Sequence, residues 1–176
     1  GESVSEVYLA SSEGFAGGYS GTYVYAYAVP VAAEGEQLQT SYWTDTKRFF
    51  KDLDDPEGIG REAARRALRM LGASKVKSQK VPVVFDPMMA ASFVGIIAGA
   101  ANGDSVFKKS SFLAGKLGAT IAPKHVTIVD DGLLPRGVAT SPFDGEGVPT
   151  RKTPLVQQGV LEAYLYDAFT ARKAKA

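Results

Sequence analysis

Residues Tyr19 to Ala28, YSGTYVYAYA, alternate strictly: Tyr19, Tyr23, Tyr25 and Tyr27 fall on one parity, and Thr22, Val24, Ala26 and Ala28 on the other. A period of two in a β-branched and aromatic run specifies an extended strand with one face turned to a core. From Val4 to Trp43 the same reading gives antiparallel strands, with Gly17-Gly18 and Glu34-Gly35 expected as the turns between them. An ordinary half-exposed sheet face or a domain contact explains the tyrosines better than a peptide-holding surface does.

Beyond the sheet the period changes. Asp54-Asp55-Pro56-Glu57 supplies a capping carboxylate, a proline for the first turn and an acid on the helix dipole, and Gly72 marks the stop. Between them Ile59, Ala63, Ala67, Leu68 and Leu71 recur at helical spacing, leaving Arg61, Arg65 and Arg69 on a different face. Lys80 to Phe85, KVPVVF, reads as a short buried strand, and Asp86-Pro87 starts a helix carrying Met88 to Ala101. Gly95, Ala98, Gly99, Ala100 and Ala101 make the far end of that helix small, so it is expected to lie deep against a sheet or a partner. Val126 to Val129 is a further strand ending in Asp130-Asp131-Gly132. Leu133 to Pro154 is expected as an ordered loop, and after the Gln158-Gly159 turn Val160 to Tyr166 alternates as a last strand. The fold class is α+β: an antiparallel Tyr-rich sheet with a capped helix over residues 1–80, then a mixed segment with a buried small-residue helix over 81–176.

Composition excludes several functions. The chain has 176 residues, 20 basic and 19 acidic, and a net charge of +1, which gives no general pull toward nucleic acid or an anionic membrane. It has no cysteine, hence no disulfide framework and no thiol nucleophile, as suits a cytoplasmic protein. The longest apolar stretch, Met88 to Ala101, is broken by Ser92, Gly95 and Gly99 and falls short of the roughly 20 residues a membrane span needs. The opening Gly-Glu-Ser-Val carries no signal peptide and reads like a cut piece.

Single motifs are weak. Gly115-Lys116 is followed by Leu117 rather than Ser or Thr, which removes a P-loop, and Gly18-Tyr19-Ser20-Gly21 continues with Thr22, which removes a nucleophile elbow. Ser74 to Lys77 and Ser105 to Lys108 both match S-x-x-K, but Ser105 as a helix cap and Lys108 as a surface charge account for the second. Asp130-Asp131 and Asp144-Gly145-Glu146 gather carboxylates that could hold a hard cation or a substrate amine, although turn chemistry explains Asp before Gly as well. His125 is the only histidine, one nitrogen where zinc takes three or four protein ligands.

Taken together, several ordered blocks carry more than these motifs. They are Gly103 to Leu113 (GDSVFKKSSFL), Lys116 to Gly118 (KLG), Val126 to Gly132 (VTIVDDG), Ser141 to Thr150 (SPFDGEGVPT) and Gly159 to Leu161 (GVL). With them the run from Pro82 to Lys173 resembles the TldD/PmbA peptidase family, formerly modulators of DNA gyrase, and its PmbA/TldE-type branch in particular. Ser12 to Gly14 and the capped helix are similar to the family's middle region. The resemblance implies a fragment covering the middle and part of the C-terminal region of a cytoplasmic system that processes or degrades peptides. It further implies a TldD-type subunit that binds zinc through an H-E-x-x-x-H helix and a distant cysteine, the glutamate acting as base toward the metal-bound water.

The family's metal helix falls between Met88 and Gly103, which here reads MMAASFVGIIAGAANG, without His or Glu. No catalytic or metal-binding residue is therefore carried over. The first expectation is a non-catalytic subunit with a TldD-type partner or a homodimer, zinc residing in the partner and none in this chain. Its candidate cavity or interface residues are Gly95, Gly99, Asp104, Ser105, Asp130, Asp131, Asp144 and Glu146. The second is an autonomous metal-dependent peptidase using Asp131, Asp144 and Glu146 with His125. The third is a gyrase- or nucleic-acid-binding module resting on Arg61, Arg65, Arg66 and Arg69; nucleic acid is not an expected partner on the first reading, nor is a membrane.

Overall fold

A computed structural model describes all residues, 1–176, and the chain divides into two compact units, Gly1–Lys80 with Leu134–Thr140, and Val81–Leu133 with Ser141–Ala176. Helices and antiparallel sheets are both present, so the class is α+β.

In the first unit, β1 (Glu2–Ala10), β2 (Ala16–Ala28) and β5 (Trp43–Lys47) form one antiparallel sheet in the order β1-β2-β5, while β3 (Val31–Glu34) and β4 (Gln37–Thr40) make a separate hairpin. The alternation of β2 is realised as read. Val24 is buried with Ala26 and Ala28 beside it, and Tyr23, Tyr25 and Tyr27 line the other face as a ladder with ring centroids 6.4 and 6.2 Å apart. The expected turn at Gly17-Gly18 is corrected: both glycines pair within the ladder, opposite Leu9 and Tyr8. The turn lies at Ser11 to Phe15, where Gly14 takes φ +88°. Gly35, at φ +58°, turns the hairpin as expected.

The helix α1 (Pro56–Leu68) begins where its sequence dictates: the Asp55 carboxylate accepts the Gly58 amide at 3.1 Å and Pro56 occupies the first turn. Ile59, Ala63 and Ala67 are buried beneath it, but Leu68 is exposed, and Arg66 takes a buried place. Its guanidinium lies 4.3 Å from the Trp43 ring centroid and its Nε–H donates to Glu62 at 2.7 Å, so the charge goes inward with an aromatic ring over one face and a carboxylate at its edge. Arg48 fastens residues 134–140 to this unit through the carbonyls of Gly137 and Thr140, at 2.9 and 2.8 Å.

In the second unit, α2 (Pro87–Ala100) and the short α3 (Gly103–Phe107) precede the sheet of β6 (Ile128–Asp131), β7 (Lys152–Gln157) and β8 (Val160–Leu161), ordered β6-β7-β8; α4 (Ala168–Ala174) follows. The Asp86 carboxylate caps α2 by accepting the Met88 amide at 3.0 Å. Pro154, which cannot donate to a ladder, stands in the central strand beside a register shift at Ile128/Val129, the kind of irregularity that tolerates it. The core consists of Ala101, Leu113, Leu155, Val156 and Leu161, with Ile97, Ala98, Ala163 and Leu165 packed against it.

Four expectations are corrected here. Lys80 to Phe85 is exposed and joins no ladder, because no strand of these residues pairs with it. The small-residue helix is not buried: α2 has no buried residue, and an added Cβ at Gly95 or Gly99 would meet nothing within 4 Å. The strand placed at Val126 begins two residues later. The ladder of the last strand stops at Leu161, although Leu161, Ala163 and Leu165 do share the core side and Leu165 bridges Asn102.

The close backbone approaches lie elsewhere. At Gly103 a Cβ would stand 2.1 Å from the Tyr166 ring, and at Gly159, φ +84°, 2.2 Å from the Ala122 carbonyl oxygen.

Candidate functional site

Most of the nominated acidic side chains hold local structure. Asp104, in the first turn of α3, bonds Lys108 at 2.7 Å. Ser105 does not cap that helix; Asn102 does, its side-chain oxygen accepting the amides of Asp104 and Ser105 at 3.1 and 3.3 Å. The sequence carries the signal for this cap in Asn102, three residues ahead of Ser105 and a strong cap former. Asp131 accepts the Leu133 amide through one oxygen and meets Lys152 at 3.2 Å through the other. Asp130 is exposed on β6, opposite Thr153.

Asp144 closes its own turn, accepting the amides of Glu146 and Val148 at 2.8 and 3.0 Å. Glu146 reaches the start of α4, where its carboxylate takes the Ala168 amide at 2.8 Å, while Asp167 takes that of Thr170 at 2.6 Å. The hydroxyl and amide of Thr170 hold the Asp167 carboxyl below the usual carboxylate range. Sequence reading missed this junction because its partners are far apart in the chain.

His125 is exposed in a turn, and nowhere do three or more His, Asp or Glu side chains gather in a way that could hold a metal ion. The arrangement proposed for an autonomous enzyme, with Asp131, Asp144 and Glu146 around His125, is therefore corrected: the carboxylates are spent on backbone amides and a lysine. Gly95 and Gly99 stand on the open side of α2, not in a cavity wall.

An open hollow of about 540 Å³ is lined by Arg151, Lys152, Gln157 and Glu162 among others.

The arginines of α1 are engaged within their helix. Arg61 bonds Glu57, and Arg65 and Arg66 converge on Glu62, all at 2.7 Å. The Arg65 guanidinium, with Arg66 beside it, holds the Glu62 carboxyl down to about 2. The neighbouring Asp45 loses hydration through burial, yet the Lys47 ammonium and the Asp54 amide outweigh that and lower it.

Residues 1–71 match the central domain, and residues 78–176 the C-terminal domain, of the PmbA/TldA metallopeptidases. The chain belongs to the PmbA/TldD family. It is 35% identical to the metalloprotease PmbA of Escherichia coli O157:H7 over 163 residues, which are 93% of this chain and 36% of that protein. A Bacteroides thetaiotaomicron structure described as a candidate modulator of DNA gyrase superposes with a TM-score of 0.92 at 32% identity, over 99% of this chain and 40% of its own. TldE of Thermococcus kodakarensis gives 0.83 at 25% identity, again over 99% and 40%. The chain thus spans little more than a third of the curated relative and two-fifths of these solved structures.

Family membership raises the question of zinc, and the residues present do not fit it. Residues 88–103 have no His or Glu, the lone imidazole of the chain stands apart, and the acids elsewhere already have partners or lie singly on the surface. No helix is long and apolar enough to cross a membrane.

Proposed function

We propose that this chain is part of a PmbA/TldE-type, non-catalytic subunit of a cytoplasmic zinc peptidase system that processes peptides, the zinc being held by a TldD-type partner. The observation that carries the reading is the donor set of α2 and its flank. Where the family's H-E-x-x-x-H motif is expected, the chain offers Met, Ala, Ser, Phe, Val, Gly and Ile, none of which binds zinc as an anion or imidazole. Hydrolysis at zinc also needs a group to handle the water's proton, and no carboxylate stands on that helix.

The test is peptide hydrolysis by the purified full polypeptide, alone and with a TldD-type protein from the same cell. Alone it is expected to cleave nothing, with or without added zinc. Installing one histidine in α2 is expected to change nothing, since one imidazole leaves the coordination shell mostly empty. With the partner, cleavage is expected to depend on zinc and on the partner's own motif. Chelator-sensitive turnover without the partner would sink the proposal.

A further inference from the structure

The long loop between β6 and β7 is pinched within the second unit. The Gly132 amide donates to the Arg151 carbonyl at 3.3 Å, and the Thr150 amide donates to the Pro142 carbonyl at 3.1 Å, with the Thr150 hydroxyl on the carbonyl of Ser141. Both ends of residues 133–140 are thereby held beside Thr150 and Arg151, so the segment leaves and returns as a closed finger. Its residues Leu134–Thr140 nevertheless belong to the first unit.

Two arginines account for that. The Arg48 guanidinium donates to the backbone carbonyls of Gly137 at 2.9 Å, Thr140 at 2.8 Å and Thr22 at 3.3 Å. Gly21 leaves room for it, since a Cβ there would stand 2.7 Å from Arg48 Nη1. A planar fork of donors reaches carbonyls spread on several sides, whereas a lysine ammonium is a compact point charge that does not span them. From the finger's own side, the Arg136 guanidinium meets the Asp52 carboxylate at 3.0 Å and lies 4.8 Å from the Phe49 ring centroid.

The tip of the finger is strained. The Gly137 amide donates to the Leu134 carbonyl at 3.0 Å, which makes Pro135 the second and Arg136 the third residue of a turn, with Arg136 at φ +64°. Proline followed by a positive φ is the pattern of a type II turn, and its third position favours glycine. An arginine there persists only because surrounding contacts impose it, and those contacts are Asp52 and Phe49. Leu134 and Val138 stay 55% and 44% exposed, so charge and hydrogen bonds hold the tip rather than burial. A strained turn kept in place by polar contacts is one that can open.

We propose that residues 133–140 are a reversible latch, rooted in the second unit and clamped on the first by Arg48 and Arg136, that couples the stability of the two units. The latch is independent of where zinc is held.

The test follows hydrogen exchange in the full polypeptide and in its Arg48→Lys and Arg136→Gly variants, with Arg61→Gln as a control away from the finger. The amides of Gly137 and Thr140 report the finger, and those of Leu161 and Leu165, bonded to the Ala119 and Ala101 carbonyls, report the core of the second unit. Arg48→Lys is expected to speed exchange in the finger at least about 10-fold and at Leu161 and Leu165 at least about 3-fold, although the bonds of Arg48 all lie within the first unit. Arg136→Gly relieves the turn but loses the clamp, and it is expected to act in the same direction; it decides the matter if Arg48→Lys does not fold. The control is expected to change neither set. A faster finger with Leu161 and Leu165 unmoved would make the segment a local ornament, and slower exchange in Arg136→Gly would mean that turn strain alone matters. Either result overturns the latch, as does a finger whose exchange ignores both substitutions.

Discussion

Two helices of this chain begin in the same way and end in opposite circumstances. Both α1 and α2 open on an aspartate cap followed by proline, at Asp55-Pro56 and Asp86-Pro87. Beyond the cap, α1 alternates an apolar stripe with arginines and glutamates, and it buries Ile59, Ala63 and Ala67 against its own sheet. The body of α2 has no charged residue at all and yet has no fully buried one, resting on the core only through the half-buried Ile97, Ala98 and Ala100. Local chemistry fixes where a helix starts, because capping needs only the adjacent residues. How far its side chains are buried depends on what surrounds it, and for α2 those surroundings are not supplied by residues 1–176.

The sharpest way to break this contrast is to truncate one isoleucine in each helix. Ile59 is 3% exposed and Ile96 56%. Ile59→Ala is expected to cost about 2 to 5 kcal/mol, and Ile96→Ala no more than about 0.5 kcal/mol in residues 1–176. Denaturant unfolding followed by Trp43, the sole tryptophan and a neighbour of Arg66, reads the first; amide exchange in α2 reads the second. Equal losses would remove the distinction between a packed and an uncovered helix.

A second pair sharpens the point at glycine. Gly103→Ala drives a methyl into the Tyr166 ring and is expected to destabilise by about 1 to 3 kcal/mol. Gly99→Ala meets no atom and replaces a poor helix former, so it is expected to gain up to about 1 kcal/mol. Thermal melts of the two variants separate the outcomes by sign. A loss at Gly99 would mean that the open side of α2 is occupied after all.

The same contrast explains what could be read in advance. The tyrosine strand, both capped helices and the Gln158-Gly159 turn were legible because each rests on a period or on chemistry confined to a few neighbours. Gly14 as the true first turn was missed because Gly17-Gly18 is the louder punctuation, though its residues fit a ladder beside Tyr8 and Leu9. Lys80 to Phe85 has a strand's composition without a strand's partners. At the site, the carboxylates at 131, 144 and 146 were recognisable as turn formers, but the link from Glu146 to α4 spans 22 residues and leaves no local trace. The family blocks succeeded where single motifs failed, since their order along the chain carries information that spacing within one motif does not.

The smallest expected effect tests the charged side of the comparison, the feature that α1 has and α2 lacks. Glu62 accepts both Arg65 and Arg66, and its carboxyl is held down to about 2 from an ordinary value of 4.5. In the unfolded chain those guanidiniums no longer converge on it, so the unfolded state takes up the proton first as pH falls. The contribution is thus complete above the unfolded value of 4.5, shrinks through the interval below it, and is gone under about 2. It is modest, because Arg65 is solvated and exposed pairs of this kind add little. Glu62→Gln keeps the shape and an acceptor but cannot titrate. Urea midpoints read through Trp43 fluorescence are therefore expected to fall less steeply with acid in Glu62→Gln than in the parent between pH 4.5 and about 2, and to run parallel to it at neutral pH. Parallel curves throughout the acid range would show that the two arginines do not hold Glu62 in solution, and that α1 owes its difference from α2 to its buried face alone.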